Sequence, residues 1–187
     1  MRSLILILIA VCAPLGLCAQ SYNNDPELVA LAHRMVNAVV DNDQQRFVGQ
    51  FVGMTSYAKL EKMIPEGAEG PDKERWAKLR VELNDERLAA QKWFQAARTQ
   101  MFNSSMPKNA IQIKGVNVTV NQLKGFKHID SMSVDVAMTQ AWTARLTFGS
   151  AVRLNDGWSF LTRPSPQVTS TRTNITGDTS ETIFLGE

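Results

Sequence analysis

His128 and Asp130 stand two apart. In a strand, residues at that spacing share a face, and an imidazole beside a carboxylate is the arrangement of a general base with the group that orients it. The same two residues follow Gly125, near an expected turn between strands, where a polar pair ordinarily faces solvent. Both readings stand at this point, so no catalytic residue is assigned and the pair is the candidate. The sequence places no third ligand beside them, so no metal site is expected. The chain's other histidine, His33, flanks an apolar helical stripe, where a half-exposed surface position is the default. No nucleophile elbow, phosphate-binding glycine loop, metalloprotease signature or dinucleotide fingerprint occurs, and no cofactor is expected.

Thiol chemistry depends on where the chain begins its mature life. Met1-Arg2 supplies a positive start, Leu4 to Val11 is an unbroken apolar run, and Pro14 and Gly16 break it before Leu17-Cys18-Ala19. This is the pattern of a secretory signal peptide over residues 1–19, cleaved after Ala19. The uncharged stretch from Ser3 to Ala19 falls short of the roughly 20 residues a helix needs to span a bilayer. A rival reading makes Cys18 a lipidated N-terminus, because Leu15-Gly16-Leu17-Cys18 resembles a lipobox, although Leu17 stands where a small residue belongs. Cleavage after Ala19 removes both cysteines, Cys12 and Cys18. The mature chain then has no disulfide or thiol nucleophile, and the protein is expected in the periplasm or outside the cell. Asn103, Asn117 and Asn174 match glycosylation sequons and are read as surface Asn, since a cysteine-free exported chain looks bacterial. Asp130-Ser131-Met132 resembles a short O-glycosylation signal of some Gram-negative envelopes and is too brief to carry a conclusion.

Lys plus Arg is 20 against 18 for Asp plus Glu, a net of +2. That balance gives no broad positive field, so no nucleic-acid partner is expected. Lys108, Lys114, Lys124 and Lys127 make the middle of the chain mildly basic, as a solvated sheet edge would be.

The elements that must position these residues are legible as periodicity. Asp25-Pro26 is a cap with Pro at the first helical position, and Leu28, Leu31, Ala32, Met35, Val36, Val39 and Val40 recur at helical spacing to about Asp41. Asp43 caps a second helix with Phe47, Val48, Phe51 and Val52 on one face, stopped by Gly53. Thr55 caps a third, through Leu60, Met63 and Ile64 to Pro65. After a Gly-rich loop from Glu66 to Gly70, Pro71-Asp72 opens a long helical segment to about Met101. Its stripe is Trp76, Leu79, Leu83, Ala90, Trp93, Phe94, Ala97 and Met101, with a lapse at Asn84-Asp85-Glu86-Arg87. A kink recapped by Asp85, a solvated stretch, or a polar middle at a cavity mouth each accounts for the lapse.

From Ala110 the period becomes two. Ile111 and Ile113 precede Gly115, and Val116, Val118 and Val120 resume on shifted parity, which predicts a bulge at Gly115. Val134, Val136 and Met138 form one alternating run, and Trp142, Ala144, Leu146 and Phe148 another. Asn155-Asp156-Gly157 turns the chain into Trp158 to Leu161. The expectation is an α+β domain over 20–163, with N-terminal helices on a curved antiparallel four-stranded sheet. The Ser/Thr-rich residues 164–187 read as a weakly ordered tail, with Thr182 to Leu185 as a stray strand.

Helices first, one long helix, then a meander ending in Leu154-Asn155-Asp156-Gly157-Trp158-Ser159-Phe160 resembles the NTF2-like or SnoaL-like superfamily. The opening Ala38-Val39-Val40-Asp41-Asn42-Asp43 followed by Phe47 and Phe51 is similar too. The resemblance covers about Pro26 to Arg163, lacks the family's small strand pair before the long helix, and carries fold more than function. It implies a cone in which a long helix packs into a curled sheet, with Trp76, Trp93, Phe94, Met138, Trp142 and Leu146 pointing inward as core or as the lining of a ligand pocket. The family's isomerases use a first-helix Tyr and a strand Asp. This first helix has only His33, with Asp41 and Asp43 at its end, so no catalytic set carries over. The expected function is a non-catalytic binding or protein-interaction module of the bacterial envelope, with an envelope protein or a small hydrophobic ligand as partner and a homodimer as one expected assembly. The alternative is a SnoaL-like isomerase or dehydratase acting on a small hydrophobic substrate.

Overall fold

A computed structural model describes residues 25–62, 73–102, 106–119, 127–139, 142–155, 157–174 and 177–185. The expected leader, the Cys18 alternative and the Glu66–Gly70 loop lie outside the described residues. Asp25 opens α1 (Pro26–Val40) by accepting from the N–H groups of Glu27 and Leu28 at 2.9 and 3.4 Å. Such a cap satisfies donors that have no partner inside the helix. Leu28, Leu31, Ala32, Met35, Val36, Ala38 and Val39 make its buried face. At the other end Arg98 donates to the carbonyls of Val39 and Val40 at 3.0 and 3.1 Å.

Asp43 caps α2 (Gln44–Val48) through the N–H of Arg46 at 2.9 Å. The expected continuation to Val52 is corrected: the helix stops at Val48. Val52 instead donates to Phe160 and Phe160 donates to Gln50, forming a parallel bridge between Phe51 and Phe160. Those two backbone bonds replace the ones a longer helix would have made. α3 (Met54–Lys62) follows, and α4 (Lys73–Gln100) runs for 28 residues without a break, about 42 Å at 1.5 Å per residue. No recapping occurs at Asp85. Leu79 and Leu83 pack in one cluster and Ala90, Trp93, Phe94, Ala97 and Met101 in another, so the lapse at 84–87 marks where the helix changes partners.

The described residues hold eight strands: β1 (Gln112–Thr119), β2 (His128–Ile129), β3 (Ser131–Ala137), β4 (Trp142–Phe148), β5 (Ala151–Leu154), β6 (Gly157–Phe160), β7 (Gln167–Asn174) and β8 (Gly177–Phe184). They form a five-stranded antiparallel sheet, β1-β3-β4-β7-β8, and a three-stranded one, β2-β5-β6. Only Asp130 separates β2 from β3, and only Gly149-Ser150 separates β4 from β5, so two long bent strands feed both sheets. The bulge is present where the parity shift placed it, between Ile113 and Gly115.

The four-stranded expectation is corrected in number, and the weakly ordered tail is corrected in kind. Residues 167–174 and 177–184 pair as β7 and β8 over eight positions. Val168 and Ser170 are buried, while Thr169 and Thr173 on the other face are exposed. Threonine is β-branched and suits a pleated surface, so a composition that looked like a flexible tail is a pair of strands, of which β7 has one buried and one wet face.

Ala151, Trp158, Phe160 and Ile129 turn one face of the small sheet to the main core under α1. Val152, Leu154 and Leu161 turn the other face to Val52, Leu60, Leu79 and Leu83. The small sheet is therefore packed on both sides. Among the described residues no helix is long and apolar enough to cross a membrane.

Candidate functional site

The space between helices and large sheet is occupied by rings in mutual contact. Phe47 stacks on Trp93 with centroids 5.6 Å apart and planes 7° from parallel, and it also meets Phe51 and Phe94 at 5.7 and 5.3 Å. Phe148 meets Trp93 at 6.0 Å and Phe160 at 5.7 Å, and Phe160 meets Phe51 at 5.4 Å. These separations lie in the range of favourable aromatic pairs. The Trp93 indole N–H donates to the carbonyl of Ser165 at 2.9 Å, so its one polar atom is satisfied where it is buried.

The six expected lining residues therefore part company. Trp93, Phe94 and Leu146 are buried in the main core. Trp76 is half-buried against the second cluster, where its ring meets Tyr57 edge-on at 5.6 Å and its carbonyl accepts from the Tyr57 hydroxyl at 2.9 Å. Met138 and Trp142 are half-buried at the end of the β3–β4 hairpin. There the Arg172 guanidinium lies 5.8 Å from the Trp142 ring centroid, a cation–π contact. The expectation that Trp93 on the long helix and Trp142 on a strand both point into one buried core is thus replaced by two environments. Ser170, two residues before Arg172, is 1% exposed with its hydroxyl making no hydrogen bond. Its burial was not legible, because it sits in a Thr/Ser run whose alternation composition alone does not show.

The structure also overturns the solvent-facing reading of the histidine pair. His128 is 2% exposed, on β2 opposite Val152, and Asp130 is half-buried at the bend into β3. Imidazole Nδ1 and carboxylate Oδ1 are 3.7 Å apart. The spacing in sequence did bring the two groups together. A general base must reach within about 3 Å of the proton it takes, directly or through one water, and a side chain this enclosed offers a substrate no approach in this conformation. Among the described residues no three His, Cys, Asp or Glu side chains gather to hold a metal ion.

His33 is exposed and lines an open groove of about 650 Å³ with Pro26, Val29, Ala30 and Arg34. All five lie on the first nine residues of α1, and no second histidine or carboxylate of that lining joins His33 there.

On the outer face of the large sheet, Asp135 and Arg145 sit opposite one another in register. Arg145 makes two parallel bonds to the carboxylate, 2.7 and 2.9 Å long. Those bonds, with the charge of Asp135 beside them, raise the already high pKa of the guanidinium. Around the pair lie short hydroxyls: Ser133 and Thr147 are within 3.2 Å of each other, and Thr171 and Ser180 within 3.1 Å. Around this pair the face is polar and nearly neutral, fit to hydrogen-bond a partner.

Comparison with protein-family models, curated proteins and solved structures returned no match.

Proposed function

We propose that the chain is an exported, non-catalytic protein-interaction module of the bacterial cell envelope, its helices and large sheet arranged as an NTF2-like cone. The observation that carries this reading is the aromatic contact chain through Phe47, Trp93, Phe148 and Phe160: side chains occupy the place where a cone enzyme would hold substrate. The enclosure of His128 supports it further, because the sequence's one acid–base candidate faces packed strands. This reading assigns a partner to the outer sheet face, with Arg145 and Asp135 at its middle.

Complementation of a deletion strain tests the proposal. His128→Ala and Asp130→Asn should leave the biological role nearly intact, whereas Arg145→Glu, which sets a second acid against Asp135, should weaken partner association. Intact mass of the exported product should begin at Gln20. Failure of the two β2–β3 variants while folded and exported, with Arg145→Glu working normally, would replace the module by the SnoaL-like enzyme, for which loss of a general acid–base group costs about 10²- to 10⁴-fold in rate.

A further inference from the structure

The large sheet ends in two unlike edges. At one end β1 carries the Gly115 bulge and Lys114, two devices that blunt an edge against pairing. At the other end β8 carries neither, and no described strand pairs with its far side. A regular strand in that position presents alternate backbone N–H and C=O groups to solvent. β8 bears Asp178 and Glu181 and has no Lys or Arg. The nearest cation on β7, Arg172, lies opposite Thr179 and is stacked on Trp142. Phe184, on the same face as Asp178 by strand alternation, is 64% exposed.

We infer that the β8 edge is a strand-addition site for an extended basic segment of a partner protein. Opposed residues in an antiparallel ladder share a face and interact in pairs, so the side chains of β8 specify the guest. Reading the guest from its N-terminus, it meets Phe184 and Ile183 first, then Thr182, Glu181, Ser180, Thr179 and Asp178. The complementary pattern is two apolar residues, a neutral one, a basic one, two neutral ones and a second basic one. Main-chain bonds supply affinity and the alternate side chains supply specificity, as in other strand additions. A second copy of β8 is a poor guest, because it brings two more carboxylates into the same ribbon and no cation to pair with Asp178 or Glu181.

The proposal rests on the interaction-module reading and is tested apart from it. The purified protein is titrated with an acetylated, amidated peptide of sequence Val-Val-Thr-Lys-Thr-Thr-Lys, with its Glu-for-Lys counterpart, and with a copy N-methylated at alternate residues. Isothermal titration gives affinity, and amide hydrogen exchange over residues 177–185 gives location. The basic peptide should bind and slow exchange in β8, and the other two should not. Joint replacement Asp178→Lys and Glu181→Lys should reverse the preference between the Lys and Glu peptides by about tenfold or more. Equal binding of the N-methylated copy would reduce the effect to charge attraction and overturn strand addition. So would unprotected β8 amides at millimolar peptide, or sedimentation showing that β8 pairs with its own copy. If the double variant fails to fold, the three peptides on the unaltered protein still decide. Loss of strand addition with Arg145→Glu still weakening partner association would sink the edge proposal alone and leave the module standing.

Discussion

Two tryptophans both expected to point inward have different surroundings, and substitution should separate them. Trp93 is 3% exposed, stacked on Phe47 and bonded to Ser165. Trp93→Ala should therefore cost about 3–5 kcal/mol in a denaturant titration, as large-to-small changes in a packed core do. Trp142 is half-buried beneath Arg172, and Trp142→Ala should cost about 1 kcal/mol, in the ordinary range for a partly exposed site. Equal losses would mean that the hairpin end is core after all. Tyr57 allows a test by pH. Its phenol is pushed above the usual 10.0 first by burial and then by Glu61, with Arg80 pulling the other way. A folded-state pKa above the unfolded value means that the folded protein holds the proton more tightly. The resulting stability is complete below pH 10 and drains away as pH rises through the folded value. Tyr57→Phe should flatten that alkaline decline in thermal melts between pH 9 and 11, and an unchanged slope would assign the decline elsewhere.

At the scale of elements, α1, the reach of α4 and the Gly115 bulge were legible because each is written in local periodicity and capping. What was not legible depends on pairing across distance. Val52 looks helical until Phe160 takes its N–H, and Thr169 to Thr173 look unstructured until β4 and β8 flank them. His128 looked like a turn residue because its burial comes from its place opposite Val152 on β5, not from its neighbours in sequence. The bend between β4 and β5 makes a further prediction. A Cβ on Gly149 would stand 2.0 Å from Thr162 Oγ1 and 2.7 and 2.8 Å from the carbonyls of Arg163 and Thr162. The same crossing is tied by Ser150 N–H donating to Thr162 Oγ1 at 2.7 Å and Ser165 N–H to the Thr147 carbonyl at 2.7 Å. Backbone on that side cannot swing clear as a flexible side chain would. Gly149→Ala should destabilise by about 1–3 kcal/mol, while Gly115→Ala, whose new methyl would meet only Asp135 Oδ2 at 3.8 Å, should stay within about 0.5 kcal/mol. Matching melting temperatures for the two variants would show that the crossing yields.

Across the whole molecule, some partners of the first helix lie far along the chain. Glu27 of α1 pairs with Arg153 of β5, 126 residues further on, and Phe51 bridges to Phe160. Later contacts such as β3 with β4 and β7 with β8 close between neighbours in sequence. A ribosome adds roughly 5–20 residues each second, so roughly 6–25 s separate the appearance of Glu27 from that of Arg153. Hairpins of the later kind form in roughly 1–10 μs. For most of that wait, until β1, β3 and β4 have been made, the apolar face of α1 and the rings of Phe47 and Phe51 have no sheet to close on. The nascent chain therefore carries its stickiest surface earliest and longest, and whatever shields that surface during synthesis governs how much protein survives to fold.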